Sequence, residues 1–210
     1  MPRVKLTGSQ SASEGSGRAP AASNQGDSVL TPEAPVPAHA TIPTTLGPFT
    51  AVVDDDGVVL ASGWTDDVDA LLALVHADIR PTDPARRADL GPVTAAVTAF
   101  HDGDPAPAAA VPVRQISGPA TTAIWDRLRL VPAGHPTTYG ELAAAAGHPR
   151  GHRLAARACV HNAATLFVPC HRVLRRGGGL GGYRWGLEIK DRLLMMEKSW
   201  LPEETAVSGV

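Results

Sequence analysis

The stretch TYGELAAAAGHPRGHRLAARACVH, residues 138–161, decides the fold of the C-terminal half. Its first four residues, Thr138-Tyr139-Gly140-Glu141, match a capping box, in which the threonine hydroxyl accepts an early backbone N–H and the glutamate reaches back to the threonine N–H. A helix is predicted from there through the alanines, ending at Gly147. After the link His148-Pro149-Arg150, the pattern predicts a second helix from about Gly151 to His161.

The second predicted helix has two unlike faces. Arg153 and Arg157, four positions apart, lie together on one of them. The opposite face carries small and apolar residues, namely Leu154, Ala155, Ala158 and Cys159. Two short helices joined by a tight turn, with arginines directed outward from the second, fit a helix-turn-helix whose second helix faces DNA. An ordinary solvated helix remains an alternative, because arginine pairs are common on helix surfaces.

Charge is distributed unevenly along the 210 residues. Residues 1–110 contain 6 basic and 14 acidic side chains, a net charge of −8, whereas residues 111–210 contain 13 and 7, a net charge of +6. A basic half indicates contact with a polyanion, nucleic acid first, and chance clustering of solvated charges is the equal alternative. No apolar run approaches the roughly 20 residues that span a bilayer, and no secretory signal pattern opens the sequence. We therefore expect a cytoplasmic protein without membrane contact.

The N-terminal half is predicted to contain a disordered tail and a small α/β domain. Residues 1–43 are rich in Ser, Ala, Gly and Pro and contain no aromatic side chain, so they have too little apolar surface to offset their ordering entropy. Within residues 44–112, two β-prone runs flank an Asp-Asp-Asp-Gly turn and predict a hairpin of Phe49–Val53 with Val58–Trp64. Helices are expected around Val68–Val75 and Pro92–Phe100, and a proline-punctuated linker or edge strand at Pro105–Pro112.

Residues 113–200 are predicted to form a mainly helical domain, with a flexible C-terminus at 201–210. Besides the helix pair, helices are expected at Ala120–Arg129 and Leu187–Lys198. Leu166–Val168 is expected to form a short strand, and the glycine-rich tract Gly177–Gly182 a loop or wing. The predicted architecture is a small α/β domain followed by a winged helix-turn-helix domain.

A second stretch, LFVPCHRV at residues 166–173, raises the question of chemistry. The thiolate is the reactive form of cysteine, and the adjacent His171 and Arg172 would favour it at Cys170. Sequence neighbours need not be hydrogen-bonded, so a buried structural cysteine is the alternative. Zinc is disfavoured because Cys159-Val160-His161 and the adjacent Cys170 and His171 are spaced too tightly to ligate one structural ion. With only two cysteines in the chain, both are expected to be reduced.

The pentapeptide Pro169-Cys170-His171-Arg172-Val173 resembles the active site of the O6-alkylguanine-DNA alkyltransferases, also called methylated-DNA–protein-cysteine methyltransferases. The resemblance extends over about Ile116 to Ser199. Asn162 stands where that family has a hinge asparagine, and Arg153 where it has an arginine that intercalates into DNA. Tyr139, Tyr183 and Glu197 match the tyrosine that rotates the target nucleotide, the tyrosine that lines the pocket, and the glutamate that completes a hydrogen-bond chain.

The resemblance implies direct reversal of DNA damage. The alkyl group of O6-alkylguanine, and of O4-alkylthymine, would pass irreversibly from double-stranded DNA to Cys170, once per protein molecule. Glu197 would orient His171, which deprotonates Cys170, while Asn162 holds the neighbouring turn and Tyr139 gives a proton to the guanine. No cofactor or metal is implied, the protein would act as a monomer, and the N-terminal domain would be ribonuclease-H-like.

The resemblance also implies which residues contact the substrate. Contacts with DNA are expected from Thr138 and Tyr139 at the start of the first helix of the pair, and from Arg153 and Arg157 on the second. The substrate pocket is expected to be formed by Val168, Val173, Tyr183 and Arg184.

Two departures from the family pattern stand out. Ala120-Thr121-Thr122 replaces a Phe-Gln pair, and Trp185 replaces a small residue after the pocket tyrosine. Three other functions compete with alkyl transfer. An alkyltransferase-like winged-helix DNA-binding protein without transfer activity would replace Cys170, a plain winged-helix regulator would bind without a lesion, and a cysteine hydrolase would keep its thiol after turnover of an ester.

Overall fold

The computed structural model describes residues 36–202. The predicted disordered tail, as far as residue 35, and residues 203–210 of the predicted flexible C-terminus lie outside the described residues. The described residues all fall within one compact unit, Ala34–Val210. None of the helices between residues 36 and 202 is long and apolar enough to cross a membrane.

A four-stranded mixed sheet forms the N-terminal half. Its strands are β1 (Ala38–Thr44), β2 (Gly47–Val53), β3 (Val59–Gly63) and β4 (Ala85–Arg86), in the spatial order β3-β2-β1-β4. Strand β2 is antiparallel to both of its neighbours, and β4 runs parallel to β1. The predicted hairpin is therefore confirmed as β2–β3.

Strand β1 begins inside the segment that the sequence assigned to the disordered tail, so that boundary was placed too late. Ala38, Ala40 and Ile42 are buried, while His39 and Thr41 on the other face are more exposed. This alternation is that of a half-buried strand, and β1 pairs with β2 along its whole length, from Ala38 opposite Val53 to Thr44 opposite Gly47. Two of the three buried residues are alanines, so the composition of this segment resembles that of the tail and did not indicate a strand.

Three short helices, α1 (Val68–Leu72), α2 (Pro92–His101) and α3 (Ala106–Ala110), accompany this sheet. Helix α2 buries Val93, Ala96, Val97 and Phe100. The linker or edge strand predicted at Pro105–Pro112 is instead mostly helix α3. Its proline, Pro107, lies in the first turn, where a missing N–H costs no hydrogen bond.

The C-terminal half is mainly helical, as predicted. It contains α4 (Pro119–Arg129), α5 (Tyr139–Ala145), α6 (His152–Val160) and α7 (Leu187–Ser199), with a two-stranded parallel ladder of β5 (Thr137–Thr138) and β6 (Val173–Leu174). The capping box is confirmed, because the Glu141 N–H donates to Thr138 Oγ1 over 3.2 Å and the Thr138 N–H donates to Glu141 Oε2 over 2.8 Å. The Trp125 Nε1–H of α4 donates to the Ala158 carbonyl of α6 over 2.9 Å.

Leu166–Val168, predicted as a strand, forms a turn. Leu166 has a φ of +78°, and the Val168 N–H donates to the Ala164 carbonyl over 2.8 Å. All three side chains are buried. A continuous short apolar run indicates burial without distinguishing a strand from another buried segment, and here the chain folds back to bring Pro169 and Cys170 under the cavity described below.

Replacement of Thr138 by alanine is expected to lower the free energy of unfolding by about 1 kcal/mol, because α5 loses the side-chain acceptor of its N-terminal cap. Thr138→Ser keeps that acceptor and should remain close to the parent. Urea unfolding of the three proteins measures the difference. Equal stability of Thr138→Ala and the parent would show that the capping box adds nothing measurable to the fold.

Candidate active site

Cys170 opens a single 3-10 turn, Cys170–Arg172, directly after Pro169. Its N–H donates to the Val168 carbonyl over 2.8 Å, and the Arg172 N–H donates to the Pro169 carbonyl over 3.0 Å. Cys170 is 6% exposed and borders a cavity of about 550 Å³. The turn therefore presents an almost buried sulfur to a space large enough for a small organic group.

The walls of this cavity come from four parts of the chain. Helix α6 and the segment after it form one wall, and the glycine-rich loop before α7 forms another; Tyr139 at the start of α5 and the segment from Cys170 to Arg175 complete the lining. The lining residues are Tyr139, Ala156, Cys159, Val160, Asn162, Thr165, Cys170, Arg175, Gly181, Gly182, Tyr183 and Arg184. Five predicted site residues thus line one cavity, namely Tyr139, Asn162, Cys170, Tyr183 and Arg184. Val168 and Val173, also predicted, are buried and lie outside the lining.

A hydrogen-bonded carboxylate stands behind the cysteine turn. His171 Nε2 lies 2.8 Å from Glu197 Oε1, and both side chains are fully buried. Arg172 donates to the same carboxylate from Nε over 2.9 Å and from Nη2 over 2.7 Å. The Gly134 N–H donates to Glu197 Oε2 over 3.2 Å. Burial raises the pKa of Glu197, but contacts with His171 and Arg172 outweigh it and bring the pKa down to about 2.

This geometry fixes the state of the histidine. Burial lowers the pKa of His171, with the neighbouring Glu197 acting in the opposite direction, so the imidazole is neutral near pH 7. Because the carboxylate can only accept, Nε2 carries the proton and donates it to Glu197. Nδ1 is buried and has no hydrogen-bond partner among residues 36–202. The histidine therefore offers an unengaged proton acceptor.

The cysteine itself is held as a thiol. Burial raises the pKa of Cys170, while a hydrogen bond with Asn162 and the charge of Lys190 work in the opposite direction. Burial also raises the pKa of Cys159, the second thiol on the cavity wall. A thiol in this state needs a base before it can act as a nucleophile.

Asn162 shapes the turn that leads from α6 to the cysteine. Its Nδ2–H donates to the Val168 carbonyl over 2.7 Å, and its Oδ1 accepts from the Ala164 N–H over 3.2 Å. Gln115 donates to the same oxygen over 3.2 Å and accepts from the Ala163 N–H over 2.8 Å. With 1% exposure, Asn162 is an internal residue whose hydrogen bonds hold the turn that leads to the cysteine.

Lys190 and Arg172 are charged residues whose burial the sequence analysis did not predict. Lys190, a residue of helix α7, donates from Nζ to the Val173 carbonyl over 2.6 Å and also to the Leu180 carbonyl. It thereby ties the cysteine turn to the glycine-rich loop. A lysine or arginine in a helix or loop is usually solvated, so the sequence held no signal that these two were internal.

The predicted DNA-contacting residues occupy one region beside the cavity. Arg153 and Arg157 are both exposed on α6, and Thr138 and Tyr139 are partly buried at the start of α5. Burial, with added effects of Cys159 and Cys170, raises the pKa of Tyr139 to about 12, so its hydroxyl stays protonated. Burial likewise raises the pKa of Tyr183 well above its usual value, and its hydroxyl has no partner among the described residues.

The family model for the DNA-binding domain of 6-O-methylguanine DNA methyltransferase matches residues 119–199. Among curated proteins, the methylated-DNA–protein-cysteine methyltransferase of Salmonella typhimurium is 30% identical over 158 residues, covering 74% of this chain and 92% of that protein. The bifunctional transcriptional activator/DNA repair enzyme Ada of Escherichia coli is 45% identical over 74 residues, covering 35% of this chain and 21% of Ada. The chain thus spans about a fifth of the length of Ada.

Among solved structures, that of Mycobacterium tuberculosis OGT in complex with DNA is similar, with a TM-score of 0.64 and 25% sequence identity, covering 79% of this chain and 96% of that one. The similarity therefore extends through the N-terminal sheet as well as the helical half. Together with the near-complete coverage of the Salmonella relative, it places this chain in the family of methylated-DNA–protein-cysteine methyltransferases.

Proposed function

We propose that this protein repairs O6-alkylguanine in double-stranded DNA by moving the alkyl group to Cys170, once per molecule. The observation that carries this proposal is the Cys170 thiol at the border of a 550 Å³ cavity, next to His171, whose Nε2 lies 2.8 Å from the buried carboxylate of Glu197. O4-alkylthymine, which presents the same kind of alkylated oxygen, is a second substrate.

The reaction is an in-line displacement at the alkyl carbon. Nδ1 of His171 takes the thiol proton of Cys170 through a water molecule, and Glu197 stabilises the imidazolium that forms. The thiolate attacks the alkyl carbon, so that a C–S bond forms as the C–O6 bond breaks. The electron pair goes to the guanine, which receives a proton from the Tyr139 hydroxyl, and the proton taken up by His171 returns to Tyr139 through water. The products are unmodified guanine and a thioether on Cys170.

The substrate reaches this thiol after it leaves the DNA stack. A base within a duplex is inaccessible, so an enzyme of this kind must extrude it at a cost of a few kcal/mol. We assign α5 and α6 to a winged helix-turn-helix with α6 toward DNA, supported by the exposed Arg153 and Arg157 and by the DNA complex of the M. tuberculosis relative. Arg153 fills the vacated stack, while Arg157 and Thr138 contact phosphates and Tyr139 presses on the phosphate beside the lesion.

The extruded base enters between Tyr183 and the cysteine turn. We propose that Tyr183 packs along its ring and that backbone groups of Cys170, Val173 and Arg184 recognise its edge. Val168 supports the pocket indirectly, because its carbonyl accepts a hydrogen bond from Asn162 and its side chain is buried next to the cysteine turn. Lys190, which bonds to the Val173 carbonyl, would hold this recognition edge in place.

The remaining features follow from the same proposal. The site is assembled within a single chain, which supports action as a monomer, and the chemistry requires neither a metal nor a cofactor. We place the protein in the cytoplasm. The boundary between the α/β half and the helical half is proposed to lie near residue 112.

Intact-mass measurement after incubation with duplex DNA containing O6-methylguanine tests the proposal. One methyl group per protein is expected, and peptide mapping should place it on Cys170 and not on Cys159. The Cys170→Ala variant should acquire none. Turnover of several lesions by one molecule, or an unmodified protein beside repaired DNA, would contradict single-use transfer.

Glu197→Gln and His171→Ala are expected to slow single-turnover transfer by about 100-fold or more, since each removes the base or its orientation. Their affinity for undamaged duplex should equal that of the parent, because neither side chain reaches the surface. Glu188→Gln, an exposed glutamate in the first turn of the same helix, is the matched control and should react at the parental rate. Parental rates in both Glu197→Gln and His171→Ala would remove the relay from the mechanism.

Arg153→Ala should slow repair of duplex DNA much more than transfer from free O6-benzylguanine, where no base has to be extruded. Loss of the side chain that fills the stack should reduce the duplex rate by about 10-fold or more, since extrusion costs a few kcal/mol. Arg157→Ala, one turn along the helix, should weaken binding to damaged and undamaged duplex equally. If Arg153→Ala slows both substrates alike, its role lies in the fold or the pocket.

A further inference from the structure

The indole of Trp185 lies directly against the backbone of β3. A Cβ built on Gly63, the last residue of that strand, would overlap the six-membered ring of Trp185 and would lie 2.7 Å from its Nε1. Cβ atoms in proteins essentially never approach other atoms so closely, and the clashing atoms belong to a rigid ring and not to the end of a flexible side chain. Any side chain at position 63 therefore has to displace Trp185.

The same indole joins a buried hydrogen-bond network. Its Nε1–H donates to Thr165 Oγ1 over 2.8 Å, and the Thr165 hydroxyl donates to the Ser62 carbonyl over 2.5 Å. Ser62 Oγ donates back to the Thr165 carbonyl over 2.7 Å, and the Ser62 N–H donates to the Ala163 carbonyl over 2.8 Å. We refer to Ser62, Gly63, Thr165 and Trp185 as the Trp185 bridge.

The Trp185 bridge reaches both walls of the cavity. Thr165 lines the wall that follows Asn162, while Tyr183 and Arg184, which line the opposite wall, immediately precede Trp185. Trp64, the residue after β3, also packs near Tyr183, with ring centroids 6.5 Å apart. Both walls are thus attached to the same end of one strand in the N-terminal sheet.

We propose that the Trp185 bridge sets the spacing between the two walls of the alkylguanine pocket, so that the N-terminal sheet determines how tightly the extruded base is held. This inference rests on the proposed function of the cavity. Gly63 and Trp185 are positioning residues, because they act through Thr165, Tyr183 and Arg184 and do not line the cavity themselves. The strand can perform this task because Gly63 lets the indole approach its backbone.

The consequence for reactivity is specific. Displacing Trp185 leaves the cysteine, histidine and glutamate in place, since none of them contacts the Trp185 bridge through a hydrogen bond described above. The displacement removes a contact that restrains the cavity wall formed by Tyr183 and Arg184, so the affinity for the bound base falls. In Gly63→Ala, the concentration of free O6-benzylguanine at half-maximal transfer should rise about tenfold, the effect of one lost interaction of about 1.4 kcal/mol, while the maximal single-turnover rate changes less than twofold.

The experiment compares the parent with four variants and one control. The variants are Gly63→Ala, Trp185→Phe, Trp185→Ala and the double variant Gly63→Ala with Trp185→Ala. Gly118→Ala is the matched control, because a Cβ there meets nothing within 4 Å. Trp185→Phe keeps a ring but loses the N–H donor to Thr165, so it tests the network even if Gly63→Ala folds poorly. In the background of Trp185→Ala, Gly63→Ala should add no further effect, because the group that it displaces is gone.

A second readout does not depend on alkyl transfer. The rate at which N-ethylmaleimide labels Cys170 should rise several-fold in Gly63→Ala and Trp185→Phe, and remain parental in Gly118→Ala. Parental half-saturation and labelling in both variants would overturn the inference, as would an effect of Gly63→Ala that persists undiminished without Trp185. A parent that does not transfer the alkyl group would instead contradict the proposed function, and the labelling rates would still decide on the Trp185 bridge.

Discussion

The site depends on one carboxylate that remains ionised inside the protein. Glu197 is fully buried, and an unpaired charge in that position would cost several kcal/mol. His171, Arg172 and the Gly134 N–H satisfy its oxygens. The pairing fixes the histidine tautomer and leaves Nδ1 as the acceptor on the far side. Since Glu197 belongs to α7 and its two side-chain partners to the cysteine turn, the packing of α7 against that turn assembles the candidate active site.

Helix α7 has an unusual inner face for this reason. Its buried residues are Lys190, Leu193 and Glu197, at spacings of three and four that put them on one side of the helix. Lys190 holds the Val173 and Leu180 carbonyls, and Glu197 holds the cysteine turn from the other end. The helix thus docks through two opposite charges and Leu193, while the partly buried Ile189 and Met196 pack against the same core.

The two halves of the chain share one apolar core. Phe49 of the sheet and Phe167, three residues before Cys170, pack edge to face, with ring centroids 6.3 Å apart. Phe100 of α2 and Trp200, directly after α7, also pack edge to face, with ring centroids 5.1 Å apart. The hydrogen bonds between Ser62 and Thr165 cross between the same halves. The N-terminal sheet therefore supports the segment that carries Cys170, although no residue of the sheet lines the cavity.

The sequence by itself determined the helix pair, the capping box and the hairpin, because hydrophobic periodicity, cap chemistry and turn residues are local signals. The grouping of Tyr139, Asn162, Cys170 and Tyr183 came from the resemblance of the sequence to a known family. The sequence misplaced the start of β1, the strand at Leu166–Val168 and the helix at Ala106–Ala110, where small residues, a buried turn and tolerated prolines weaken the local signals. Only the tertiary structure decided that Lys190 and Arg172 are internal and that Trp185 rests on Gly63. A charged side chain is buried only when partners distant in sequence compensate it, and local sequence does not specify such partners.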